Sequence, residues 1–400
     1  MKKLRKIEYK LWDKNNSFHS KLIKIISIIT LSIGIFFLIV SSSILYGFQD
    51  SIKNKIYDFS GHINLSNFGN GLSFKNYPVK LDEGLFLKYK EINEIDLVVP
   101  FIFMSALIEK NNYSDGIIFK GINEKYINRI KPHLLFYNDT LGLKNSIIVS
   151  KSLYESLNLN IQDKVSLFFP NEPPIFRKMS IKGIYETGLE EFDNSLIFGD
   201  INLGRKIYNW DKNNASGISI YLKNLDGIDK SLAIIKNNSR FDEFLEKTEN
   251  KYSQIFNWLN VLDKNIIVFF IIISIVACFN MISVVLILIM DKINTIGVLK
   301  SFGTNDKIIF SIFRNAGYDI LIKALIIGNV SSYFIIYLQK KFILFKLDSS
   351  SYYLNYIPMK LQAVEIIIIN IIVFTIVSTS IYIPTYFISK ITVKNNLSFN

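Results

Sequence analysis

"IIVFFIIISIVACFNMISVVLILIMDKINTIGVLKSFG", residues 266–303, joins an uncharged run of 25 residues to a short segment holding Asp291, Lys292 and Lys300. At about 1.5 Å per residue, a helix of that length crosses a hydrocarbon core of roughly 30 Å. The short segment is half apolar and basic and stops at Gly303, a residue suited to a left-handed helix end. Ile293, Ile296, Leu299 and Phe302 recur every three residues and predict one apolar stripe, with Asp291, Asn294, Lys300 and Ser301 elsewhere around the helix. Such a helix either lies at the lipid surface or offers its stripe as a knob to a groove in a soluble partner. Spacing leaves both open.

Three further runs extend the pattern. Residues 25–45, "IISIITLSIGIFFLIVSSSIL", and 366–388, "IIIINIIVFTIVSTSIYIPTYFI", carry no charge, and residues 321–338 carry only Lys323, four residues after Asp319 and placed to pair with it. Half of the 400 residues are hydrophobic and the mean hydropathy is +0.26. A soluble core has little use for three uncharged runs of more than about 20 residues, so four transmembrane helices are predicted. The first run is too long for the apolar part of a cleaved signal, and no small-x-small site comes after it; it reads as a retained anchor.

Orientation comes from lysine and arginine beside the spans. Residues 1–24 hold Lys2, Lys3, Arg5, Lys6, Lys10, Lys14, Lys21 and Lys24 against Glu8 and Asp13, a net +6 that is half of the chain's +12. The expected layout is a basic cytoplasmic amino terminus (1–24), a first span (25–45), an external domain (46–265), a second span (266–290) and a cytoplasmic loop (291–317). A third span (318–338), an external loop (339–365), a fourth span (366–388) and a cytoplasmic tail (389–400) complete it. Lys292, Lys300, Lys307 and Arg314 in the inner loop agree with this layout, whereas Lys340, Lys341, Lys346 and Lys360 in the second outer loop do not discriminate.

The basic excess sits at the membrane's inner side, which fits topology and anionic lipid and argues against nucleic acid as a partner. The one cysteine, Cys278, lies inside the second span, so the external domain has no disulfide. His19, His62 and His133 lack metal-ligand spacing. Gly183 and Gly188 have the separation of a phosphate-binding loop, but Leu189 and Glu190 stand where Lys and Ser or Thr are required, which excludes ATP binding by that device. The external segment alternates strand-like stretches such as "GIIFKGI" and "KMSIKGIYE" with short helical ones, as expected for a mixed α+β domain. Glu190, Glu191 and Asp193 are the acid/base candidates there, weighed against a solvated loop between strands.

Longer motifs carry a resemblance. "SSSILYGFQDSIKNKIYDFSGHINL" (41–65) resembles the exit of the first span in lipoprotein-releasing ABC transporter permeases of the LolC/LolE family, within the MacB/FtsX-like superfamily. In that family a small-residue segment leads into G-F, an amphipathic helix and G-x-H-I. Gly47, Phe48, Gly61, His62 and Ile63 keep those elements, while Tyr46 departs from the usual residue before the glycine. "VSKSLYESLNLNIQDKVSLFF" (149–169), "IKGIYETGLEEFDNSLIF" (181–198), "MDKINTIGVLKSFGTND" (290–306) and the tail "ITVKNNLSFN" (391–400) are similar to further family segments. Asn294 and Thr295 stand where the family tends to have Arg and Glu, and Lys300, which lacks the arginine fork, where it has Arg.

The resemblance implies a type VII ABC transporter permease: four transmembrane helices with a large α+β extracytoplasmic domain between the first and second, in a bacterial inner membrane. It implies a non-catalytic subunit that binds no cofactor itself, with ATP and Mg held by a cytoplasmic ABC ATPase dimer. A coupling helix over Asn294, Thr295, Ile296, Gly297, Val298, Leu299, Lys300 and Ser301, ended by Gly303, would contact that ATPase. Further partners would be a second copy or a homologous permease, acylated lipoproteins, and a periplasmic lipoprotein carrier reached through a reduced docking loop at Pro173, Pro174 and Arg177. Each acyl methylene costs about 0.8 kcal/mol to expose, so extraction needs an apolar receiving cavity. Ile39, Val40, Ile44, Gly47, Phe48, Phe269 and Ile273 are its candidate lining. The alternatives are a related drug or peptide exporter, a mechanotransmitter acting on cell-wall hydrolases, and a membrane-anchored enzyme, which would need a deep polar pocket of titratable groups.

Overall fold

The computed structural model describes residues 18–70, 76–81, 89, 92–110, 113–138, 142–161, 163–225, 227–347 and 354–386. The basic residues Lys2 to Lys14 and the tail after residue 386 lie outside them. The chain divides into two compact units, one of Met1–Gln49, Trp258–Lys346 and Tyr356–Asn400, the other of Asp50–Asn257 and Leu347–Asn355.

The first unit is built from helices: α1 (Phe18–Ser60), α2 (Ser253–Asp291), α3 (Ile293–Ser301), α4 (Asp306–Phe342) and α5 (Ala363–Tyr386). All but α3 are long and apolar enough to cross a membrane. The spans outrun the hydropathy reading, α2 by starting at Ser253. Helix α1 continues 15 residues past position 45, and α4 starts at Asp306, inside the stretch expected to be a loop. The cause at α4 is local: the Asn305 side chain accepts the Lys307 N–H at 3.0 Å as an N-cap, and Ile309, Ile312 and Phe313 are buried, so an amphipathic turn extends the span beyond its uncharged part. The core of this unit is a layer of Leu31, Ile35, Leu38, Met281, Val285, Leu288, Ile320, Leu321, Val377 and Ile381. Within it Asn329 of α4 and Asn370 of α5 exchange side-chain hydrogen bonds of 2.7 and 3.0 Å, and each also donates to a carbonyl of its own helix. Lipid offers no substitute for these bonds, so the two amides hold α4 and α5 in one register.

The second unit carries twelve described strands: β1 (Ile63–Asn67), β2 (Val79–Lys80), β3 (Ile95–Lys110), β4 (Tyr113–Ile122), β5 (Leu134–Tyr137), β6 (Ser146–Ser150), β7 (Lys164–Phe169), β8 (Ile175–Tyr185), β9 (Leu196–Asp200), β10 (Asn214–Ala215), β11 (Gly217–Leu222) and β12 (Glu243–Lys247). Strand β3 joins two arrangements. Its first part pairs with β11, which continues through β1 to β12; its second part pairs with β4, and the path β3-β4-β9-β6-β8-β7 returns to β3 and closes. Two pairs in that ring, β4 with β9 and β6 with β8, are parallel amid antiparallel ones, and short helices are interspersed with the strands, so the domain is α+β as expected. Alternate residues of the ring, including Ile102, Met104, Phe119, Val165, Leu167 and Ile197, fill its interior.

The carboxyl end of α1 enters this domain as a capped helix. Its last four carbonyls are all accepted for. Tyr57 O takes the Gly61 N–H at 2.7 Å, Asp58 O the Tyr221 hydroxyl at 2.9 Å, and Ser60 O the Ser219 hydroxyl at 3.0 Å. Phe59 O takes the Lys120 amine at 2.7 Å and also the Tyr126 hydroxyl. Gly61 has φ of +82°, the left-handed turn that ends the helix, and an added Cβ would meet Ser219 at 2.9 Å. Next in chain, the His62 ring nitrogen Nδ1 accepts the Leu222 N–H at 2.7 Å, and the Thr248 hydroxyl donates to Gly61 O at 2.7 Å. The G-x-H-I element is thus a splice between helix and sheet.

Burial, with a smaller push from Arg129, holds the His62 imidazole down at about 4. Unfolding therefore takes up a proton between pH 6.5 and 4: domain stability is full above 6.5 and falls as pH drops through that window, by up to about 3 kcal/mol. Denaturant titrations across this range should show that slope, and His62→Gln should flatten it. In the membrane unit, Asn329→Leu leaves the Asn370 amide without its partner; we expect a loss of about 1 kcal/mol in detergent unfolding, and a less than additive loss when both are replaced.

Candidate functional site

Helix α3 is separated from α2 by the single residue Lys292 and is closed by a left-handed Gly303 at φ +76°, whose N–H bonds to Lys300 O at 2.9 Å while Thr304 N–H bonds to Leu299 O at 3.0 Å. The four stripe residues do not share one side. Ile296 is 1% exposed and packs into the core with Ile309 and Phe313, Leu299 is half-buried against the same layer, and Phe302 is 82% exposed. The geometry explains the divergence. Three residues turn a helix by 300°, so each step of three falls about 60° short of a full turn and the stripe winds around the axis. The inward face is therefore set by Ile296, Gly297 and Leu299, and the outward face by Asn294, Val298, Ser301 and Phe302. Lys300 is not free for a partner either: its amine pairs with Asp306 at 2.8 Å and bridges α3 to the first turn of α4. Phe302, the last of the four periodic residues and the outermost apolar group here, lies one residue past the helix and outside the coupling-helix set that the resemblance implies.

At the opposite ends of the spans, an apolar groove of about 340 Å³ runs between α1, α2 and α5. Phe269 and Ile273 line it together with Leu38, Phe270, Ile368 and Ile372. The other candidates lie elsewhere. Ile39 is 1% exposed inside the span core, and Val40 and Ile44 pack beside it. Phe48 sets its ring edge-on to Trp258 at 5.8 Å. At Gly47 an added Cβ would sit 2.3 Å from the carbonyl oxygen of Pro358, and Lys360 N–H bonds to Ser43 O at 3.0 Å, so the chain leading to α5 lies directly on α1 here. Tyr46 and Glu365, absent from the candidates the sequence offers for this cavity, line the groove as well. A lone acid in the first turn of an otherwise uncharged span was the available signal.

Pro173 and Pro174 lie exposed in the β7–β8 turn, and Arg177 is exposed on β8 opposite Leu167, its guanidinium donating to the carbonyl of Phe176 at 3.0 Å. The acid candidates resolve into structure. The Asp193 carboxylate accepts the Thr187 hydroxyl at 2.7 Å and the N–H groups of Thr187 and Gly188, and so pins the "ETG" turn; burial pushes its carboxyl up against those bonds. Glu191 instead stands in the wall of a cavity of about 330 Å³ beside Lys120 and Lys251. Among the described residues no three His, Cys, Asp or Glu groups could hold a metal ion.

Residues 267–393 match the FtsX-like permease C-terminal family, and with four membrane helices and a large α+β domain between the first and second the chain has the architecture of an ABC-type permease. It is a multi-pass protein of the bacterial inner membrane. Over nearly its whole length the chain is similar to a permease of the LolC kind. It is 28% identical over 403 residues to the lipoprotein-releasing system transmembrane protein LolC of Buchnera aphidicola subsp. Schizaphis graminum, covering 97% of this chain and 96% of that one. A second protein of the same organism, described as an uncharacterized membrane protein, is 29% identical over 411 residues and 96% of each chain. The periplasmic region of MacB from Actinobacillus actinomycetemcomitans aligns with 49% of this chain and 92% of its own, at 14% identity and a TM-score of 0.35.

Replacing Gly47 by alanine forces the Cβ into backbone atoms of Pro358 and Met359. We expect a loss of about 1–3 kcal/mol in thermal unfolding of the purified protein, whereas Val40→Ala, with no such clash to relieve, should cost less.

Proposed function

We propose that the chain is the membrane subunit of an ATP-driven transporter that lifts acylated lipoproteins from the outer leaflet of the inner membrane for transfer toward the outer membrane. The observation that carries this reading is the full-length similarity to LolC, whose name describes lipoprotein release. The basic residues before α1 support a cytoplasmic amino terminus, an external Asp50–Asn257 domain and a cytoplasmic α3. Helix α3 then acts as the coupling helix, with Val298 and Phe302 as the groups that enter a cleft of a cytoplasmic ATPase dimer. Ile296 and Leu299 transmit the push to the spans they pack against. ATP and Mg belong to that ATPase, and a second permease, identical or homologous, completes the transporter. The exposed β7–β8 turn is the candidate contact for a periplasmic carrier, though a short one.

Val298→Asp with Phe302→Asp should leave the fold intact and weaken ATPase association at least tenfold, since a buried aromatic anchor at an interface is worth about 2 kcal/mol or more. Undiminished co-purification of the ATPase, with normal lipoprotein release, would remove α3 from this role. Ile296→Ala should instead lower stability by about 2–5 kcal/mol through the cavity it leaves. For sidedness, a protease tag placed near Asp115 should be cut in spheroplasts while one after Asn400 is protected.

A further inference from the structure

In the second unit, β3 and β4 pair with Phe103 opposite Lys120 and Ser105 opposite Ile118. Side chains alternate along a strand, so with Ile102 and Phe119 filling the interior of the ring, Phe103 and Lys120 stand on its outer face. There they floor the cavity of about 330 Å³, a volume suited to a small molecule, with Phe59, Phe192 and Tyr252 as its apolar walls. Two cations meet in it. The Lys120 amine lies 5.2 Å and the Lys251 amine 5.6 Å from the centre of one ring, that of Phe103. An ammonium carries three donors. Lys120 directs two of them to Phe59 O and the Tyr126 hydroxyl. Lys251 is held over the rings of Phe103 and Tyr252, and among the described residues no oxygen accepts a hydrogen bond from it. Solvent reaches Lys251, yet the protein around its amine still pushes its basicity down, and Glu246 and Glu191 oppose that only through space. At Lys120 the charge of Lys251 adds to the effect of burial. An aromatic face attracts a cation without neutralising it, and enclosed charges are ordinarily paired. Unused donors, like charges and apolar walls together specify one kind of occupant.

We propose that this cavity binds a small soluble anion, a carboxylate or phosphate ester on an aromatic or short aliphatic body. Its oxygens take the remaining protons of Lys251 and Lys120 while the body lies against Phe59, Phe103 and Tyr252. Glu191, in the same wall, opposes the anion and limits how firmly it is held. The site is independent of what the spans carry. Phe59 and Ser60 end α1, and Tyr252 is the single residue between the short helix Thr248–Lys251 and α2; the Ser60 hydroxyl donates to that of Tyr252 at 3.2 Å. A bound anion therefore joins the two segments through which the domain is connected to the first and second spans.

The test uses the full-length chain in nanodiscs of phosphatidylcholine, with calorimetric titration of phenyl phosphate, phenylacetate and the uncharged 2-phenylethanol. Each anion should bind about tenfold more tightly than the alcohol, the scale of one hydrogen bond to a charged group. Lys251→Met, which keeps an apolar stem at an exposed position, should weaken both anions about tenfold and leave the alcohol unchanged. Glu191→Gln should tighten both anions several-fold, a change of opposite sign that damage to the fold does not produce. Hydrogen exchange should show added protection of residues 59–61 and 251–256 when phenyl phosphate is present. Equal binding of anions and alcohol, anion binding that survives Lys251→Met, or protection confined to the spans overturns the inference. Failure of either anion to bind at millimolar concentration overturns it as well. Should Lys251→Met not fold, Glu191→Gln decides alone, and anion binding that is unchanged or weaker in that variant is the overturning result.

Discussion

A helix that leaves a bilayer must surrender its last four carbonyls to something other than itself. In this chain the α1 carbonyls of Tyr57, Asp58, Phe59 and Ser60 are taken by Gly61, Tyr221, Lys120 with Tyr126, and Ser219. Lys120 is the unusual member. The residue is 2% exposed, and its amine lies within 4.5–5.2 Å of the rings of Phe101, Phe103 and Tyr126 and has its basicity pushed well down by burial. The rings and the two oxygen acceptors together make that position tolerable, and in return the α1 terminus is fastened to β4 and β11 at once.

The same splice shows what the sequence could and could not disclose. Hydropathy located four spans because lipid demands long uncharged runs, and alternation exposed the α+β character of the domain. Neither signal reports where a helix stops once it leaves hydrocarbon, so the last 15 residues of α1 and the first turns of α4 escaped it; their ends are set by Gly61 and by Asn305, single residues whose effect is conformational. The G-x-H-I element was legible as a resemblance, but its purpose was not: nothing in the string tells that His62 accepts a hydrogen bond from a strand 160 residues away. The orientation of α3 was misjudged for a simpler reason. Counting by threes keeps residues apolar without keeping them aligned, and burial chose Ile296 over Phe302.

The candidate groove was partly legible. Phe269 and Ile273 lie where an outward half-span should place them, whereas Ile39, on the same turn of α1 as Leu38, is rotated into the packed interior. Gly47 and Phe48 belong to a different task. The glycine lets the approach to α5 cross α1 at backbone distance, and the phenylalanine seats α2 through Trp258. Conformity to a family pattern therefore traced how the helices are assembled, and the position where the chain departs from the pattern, Tyr46, lines the groove together with its one acid.

The junction between α3 and α4 has a mechanical meaning of its own. One end is stopped by Gly303, the other begins at the Asn305 cap, and the Lys300–Asp306 pair spans the bend while Ile296 sits beneath it against Ile309 and Phe313. An elbow braced on both its inner and outer sides has little freedom to flex. A load applied at Phe302 is consequently delivered as torque on the base of a 37-residue lever, α4, and a displacement of an ångström at the short arm grows along the long one.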